Sequence, residues 1–81
     1  MKQDIFNARK HSADHRAEIM ASTRCRCFQC LESFGPEKIV KWVDDDRTAL
    51  CPYCGVDAVL GDASGLTLDD ALITKMHQHW F

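Results

Sequence analysis

Nowhere does this 81-residue sequence approach the run of about 18 apolar residues needed for a membrane-spanning helix. Its opening stretch, MKQDIFNARKHSADHRAEIM, lacks the apolar segment of a secretory signal. These two absences predict a cytoplasmic protein with no membrane contact. No internal repeat or low-complexity tract is present, which leaves a single domain, 1–81, as the expectation. A strong excess of either charge is also missing: the net charge is −2, so the chain as a whole is not a polyanion binder. Cysteine does not come in an even number. There are five, which fits a framework of disulfide pairs poorly, and a reducing compartment would not preserve one.

What is present is enough apolar material to fold, 46% of residues. A domain this short has a small core and commonly needs a staple. The cysteines supply a candidate. Cys27-Phe28-Gln29-Cys30 and Cys51-Pro52-Tyr53-Cys54 are two C-x2-C pairs with 20 residues between them. Two cysteines three apart on a tight turn reach two corners of one tetrahedron, and turn N–H groups can point at their sulfurs. Gly55 after the second pair suits such a turn. The spacing predicts a four-thiolate zinc site at Cys27, Cys30, Cys51 and Cys54, structural because four protein ligands leave no open position. Cys25 could replace Cys27 as a ligand in a C-x4-C arrangement, but the tighter pair favours Cys27. Cys25 is then a spare thiol between Arg24 and Arg26. Those cations would activate it or offset the charge of the thiolates. An unreactive thiol packed beside the site is the reading we prefer.

The rest of the chain predicts an α+β zinc domain of zinc-ribbon or treble-clef type. Its hairpin carries the two knuckles, with a helix at each end. Residues 3–21 lack Pro and Gly and read as one helix, within an N-terminal arm at 1–24. Phe6, Ala13, Ala17 and Met20 share its apolar side, with Ile5 and Ile19 away from it. The knuckles and hairpin occupy 25–60. Gly35-Pro36 marks a turn, residues 39–43 (IVKWV) read as a strand, and Asp44-Asp45-Asp46-Arg47 as the reversal back toward Cys51. Residues 56–60 read equally as strand or helical turn, and this choice separates a ribbon from a treble clef. Within 61–81, a loop precedes a helix capped by Thr67, with Leu68, Leu72, Ile73, Met76 and Trp80 on its apolar face.

HRAEI (15–19), CRCFQC (25–30), TALCPYCGVDAVLGDASG (48–65) and KMHQHWF (75–81) together resemble a family of small bacterial proteins. That family is described as cytoplasmic or zinc-ribbon-like and of unknown function. The likeness covers about residues 9–81. Arg26, where the family has Gly, and Gln29, where it has an aromatic, depart from the pattern without removing a ligand. The resemblance implies the four-cysteine site and the cytoplasmic location, and brings no activity with it.

Other constellations compete with ordinary surface. Asn7, His11, Asp14, His15 and Glu18 share one face of a 3–21 helix. The His11, His15, Glu18 spacing could hold a second metal or set an acid beside a base, and a solvated face would look the same. His79 is expected to be partly buried and His77 exposed. Trp80 and Phe81 either close the core or bind a partner, core closure being preferred. Residues 1–30 hold six Lys/Arg against three Asp/Glu, and residues 31–81 four against nine. Lys2, Arg9, Lys10, Arg16, Arg24 and Arg26 could contact phosphates, opposed by the acidic remainder.

The expected function is a non-enzymatic zinc-stabilised module that binds another protein. A nucleic-acid-binding regulator using the basic N-terminal segment is the first alternative. A rubredoxin-like iron electron carrier is the second, and an enzyme built on His11, His15 and Glu18 the third.

Overall fold

The computed structural model describes residues 4–81. The start of the expected first helix and Lys2 lie outside them.

Where one helix was expected there are two, α1 (Ile5–Lys10) and α2 (Arg16–Met20). Asp4 caps α1 by accepting the Phe6 N–H at 2.9 Å. The chain then breaks at the HSADH segment, where Asp14 takes a positive φ of 49°. Asp is among the few residues that adopt this left-handed conformation readily. Tertiary contacts hold the break. The His15 N–H donates to the Arg47 carbonyl at 2.7 Å, and the Asp14 N–H to Thr48 Oγ1 at 2.8 Å. The break rotates the apolar face. Ile5, Ala8 and Ile19 are buried, while Phe6 and Met20 are exposed, the reverse of the single-helix expectation.

The strands form two small antiparallel sheets. One has the order β2-β1-β5, with β1 (Cys25–Cys27) central, β2 (Ser33–Phe34) on one side and β5 (Val59–Gly61) on the other. Its register pairs Cys25 with Phe34 and Gly61, and Cys27 with Val59. Alternation along β1 turns Cys25 and Cys27 to the core and Arg26 to the opposite face. The second sheet is a hairpin of β3 (Trp42–Val43) and β4 (Thr48–Ala49). The reversal between them is made by Asp44, Asp45 and Asp46, all at positive φ. The strand expected over 39–43 is therefore only its last two residues. Val40 is exposed, and Pro36–Lys38 before it form a 3-10 turn. Nor does one hairpin carry both knuckles. The first is the turn between β1 and β2, and the second lies between β4 and β5. The element after the second knuckle is thus a strand, not a helix.

Gly61 marks a close approach in the core. A Cβ there would meet Ser22 Oγ and Ile19, so α2 lies directly on β5. The last element, α3 (Asp70–Trp80), is capped by Asp69, not Thr67; its carboxylate accepts the Leu72 N–H at 2.9 Å. Leu72, Ile73 and Met76 are buried in one core that also takes in Val59, Leu60, Cys25, Cys27 and Phe28, with Leu68 and Trp80 packed at its edge. No helix among the described residues is long and apolar enough to cross a membrane.

Candidate metal centre

Cys27, Cys30, Cys51 and Cys54 converge, with all four Sγ atoms within 4.8 Å of one another. Cys27 Sγ lies 3.6 Å from Cys54 Sγ, and Cys30 Sγ 3.6 Å from Cys51 Sγ. A disulfide needs about 2.05 Å. A tetrahedron of sulfurs around an ion at 2.3 Å has edges of about 3.8 Å. The four sulfurs thus stand at metal-ligand spacing, and the donor set suits a thiophilic ion.

Each pair sits on the same local frame, repeated bond for bond. In the first knuckle the Cys27 N–H donates to the Glu32 carbonyl at 3.0 Å, and the Leu31 N–H to the Cys27 carbonyl at 3.0 Å. In the second, the Cys51 N–H donates to the Val56 carbonyl at 3.0 Å, and the Gly55 N–H to the Cys51 carbonyl at 2.9 Å. The Gln29 N–H points at Cys27 Sγ (3.3 Å) and the Tyr53 N–H at Cys51 Sγ (3.4 Å). Such donors favour the thiolate. Burial pushes the Cys27 and Cys30 thiols up. At Cys51 burial also raises the pKa, but N–H groups of Cys54 and Tyr53, with the neighbouring thiols, outweigh it and the net shift is downward.

The frame requires a left-handed residue directly after each second cysteine. Gly55 supplies φ 78° at no steric cost. Leu31 occupies the equivalent place at φ 68° and bears the strain, about 1–2 kcal/mol for an L-residue. Leu31→Gly is therefore expected to raise stability by up to about 1 kcal/mol, and Gly55→Ala to lower it by about 1 kcal/mol. Paired denaturant titrations of the metal-loaded protein check both. Nothing stands within 4 Å of a Cβ at Gly55, so that cost is purely conformational.

Arg26 holds the first knuckle to the end helix. It donates to the Leu31 carbonyl (3.0 Å), the Leu68 carbonyl (3.3 Å) and Asp70 Oδ1 (2.8 Å). Sequence reasoning read Arg26 as a neighbour of Cys25 and a candidate phosphate contact, not as a tie to the end helix. A three-residue strand is too short for its alternation to be read from the sequence, so no local signal sent Arg26 to the other face. Cys25 itself lies outside the cluster and is fully buried; burial first, then Asp62 and Glu37, push its thiol up to about 11. Neither the ligand reading nor the activated-thiol reading of Cys25 fits that setting.

The His11, His15 and Glu18 set is divided. His11 Nδ1 contacts both Glu18 oxygens, at 2.9 and 3.1 Å. His15 is buried, its Nε2 accepting the Ala49 N–H at 3.0 Å and its Nδ1–H donating to the His11 carbonyl. Both ring nitrogens of His15 are occupied by backbone, which fixes a neutral tautomer and leaves none for an ion or substrate. At the chain end the expected roles of two histidines are exchanged. His77 is half-buried with Nδ1 donating to the Phe28 carbonyl (3.1 Å), and His79 is exposed, edge-on to Phe6 and Trp80.

Among family models, curated proteins and solved structures, nothing matches this chain.

Proposed function

We propose that Cys27, Cys30, Cys51 and Cys54 hold one structural Zn2+ in a ribbon-type domain, and that the stapled domain is a non-enzymatic module for binding another protein. The carrying observation is the convergence of four sulfurs at tetrahedral spacing on two matching knuckles. Four protein ligands close the coordination sphere, so the ion would hold the fold and leave no position for substrate. The strand after the second knuckle supports the ribbon form, and the resemblance to zinc-ribbon-like bacterial proteins points the same way.

The protein partner is favoured over nucleic acid by what the cations do. Arg16 donates to the Asp46 carbonyl at 2.9 Å and lies over the Trp42 ring. Arg24 donates to Ser33 Oγ at 3.1 Å, and Arg26 is tied to Asp70. Few charges of the basic segment are left to track a phosphate backbone.

Affinity capture from the native host with the tagged chain tests the reading. A protein recovered in fixed ratio, and lost with the Cys51→Ser variant, is the expected result. Recovery of nucleic acid alone, released steeply by salt, would overturn it in favour of a regulator. A coloured protein would replace zinc with iron and restore the electron-carrier alternative, because zinc with its filled d shell is colourless.

A further inference from the structure

The first knuckle, α1 and the C-terminal end of α3 enclose a cleft of about 830 Å³. Phe6, Phe28, Trp80 and Phe81 line it, together with Arg9 and Lys10. The rings are mutually packed: Phe28 lies 6.0 Å from Trp80 and 5.7 Å from Phe81, and Phe6 lies 5.7 Å from Trp80. Burial is uneven. Phe28 is inside, but Phe6 and Phe81 are 59% and 55% exposed, which leaves aromatic surface open to solvent beside the cleft. The Arg9 guanidinium sits 5.3 Å from the Trp80 ring centre, held against this apolar wall. Asp57 contributes the one acidic side chain of the described lining, against the two cationic ones of Arg9 and Lys10.

We infer that this cleft docks a short peptide segment in which a large apolar side chain is flanked by carboxylates. The inference rests on the protein-binding reading above and names its partner's chemistry. An aromatic or long aliphatic side chain fills space lined by rings, and neighbouring carboxylates pair with Arg9 and Lys10. The volume lies in the range that receives one compact ligand group. A nucleic-acid strand fits less well. It needs a train of phosphate contacts and open ring faces for its bases. Here two cations share the site with Asp57, and Phe6 meets Trp80 edge-on, at 81°. Phe28 belongs to the Cys27–Cys30 knuckle, so the cleft wall depends on the metal centre.

Selection of a displayed library of random twelve-residue peptides against the full, metal-loaded chain tests the inference. Winners are retitrated as free peptides against the parent, Arg9→Gln/Lys10→Gln, Phe6→Ser and, as control, Lys41→Gln. The expected winners carry Asp or Glu within two residues of Phe, Trp or Leu. Their affinity falls roughly tenfold or more in the double variant and in Phe6→Ser, and holds in Lys41→Gln. Thermal melts confirm that each variant is folded, with Phe6→Leu standing in for Phe6→Ser if the latter is not. Winners without acidic residues, or with unchanged affinity for the double variant, overturn the cleft inference while leaving a protein-binding module intact. A selection that enriches nothing contradicts both. Two further results would assign the cleft elsewhere: binding of oligodeoxythymidine or oligouridine lost in the double variant, or self-association lost in Phe6→Ser.

Discussion

Serine at Cys27, Cys30, Cys51 or Cys54 is expected to unfold the chain at room temperature, and a strong chelator to do the same to the parent. Structural zinc contributes about 10–16 kcal/mol to small domains at neutral pH. A domain of this size has a total stability of only about 5–10 kcal/mol. Losing that term would therefore match or exceed the whole reserve. Cys27 and Cys51 would suffer most, since each is buried and accepts an N–H from its own turn. Acid should act in the same direction: protons compete for the thiolates, so an ion held there would be released as pH falls and regained as it rises. Circular dichroism melts with and without chelator, with metal content measured in parallel, read the effect. Cys25→Ala is the control. Its sulfur is outside the cluster, so the variant should keep a full metal complement and lose only about 1–2 kcal/mol for the small cavity.

His15→Ala is expected to cost about 3 kcal/mol, though the site looks like part of a polar helix face in the sequence. The substitution opens a cavity and leaves the Ala49 N–H and the His11 carbonyl without their partner. His11→Ala should cost less than about 1 kcal/mol, because His11 and Glu18 form a part-exposed pair. The two variants also differ with pH. Burial, opposed by the His11 carbonyl, holds the His15 pKa below its usual 6.5. The unfolded chain then takes up a proton that the folded chain refuses. Stability from this residue is full above pH 6.5 and falls as pH drops through the lower folded value. Urea titrations from pH 7 to 5 should show a steeper loss for the parent than for His15→Ala. Equal slopes would contradict the burial of a neutral imidazole.

The cysteine cluster was legible because C-x2-C spacing encodes its geometry locally, and two matched pairs leave little freedom. The apolar face of α3 was legible for a similar reason, since Leu72, Ile73 and Met76 follow a helical period that no tertiary contact overrides. The N-terminal segment was not. Its residues carry helix propensity throughout, and the break at 11–15 is enforced by β4, more than thirty residues away, through His15 and Asp14. Ser12 and Asp14 were the only local hints. The pairing of β1 with β5 was hidden likewise, because neither strand exceeds three residues and alternation is unreadable at that length. Leu31 was missed as the counterpart of Gly55 because its left-handed backbone is imposed by the knuckle and contradicts its side chain.

Native mass spectrometry of freshly purified protein tests the central claim most directly. The account predicts one zinc ion per folded chain, held until the solution is acidified or chelated, with collapse of the folded charge-state envelope as the ion leaves. A metal-free chain of unchanged compactness, whose four clustered cysteines are alkylated without loss of fold, would contradict it.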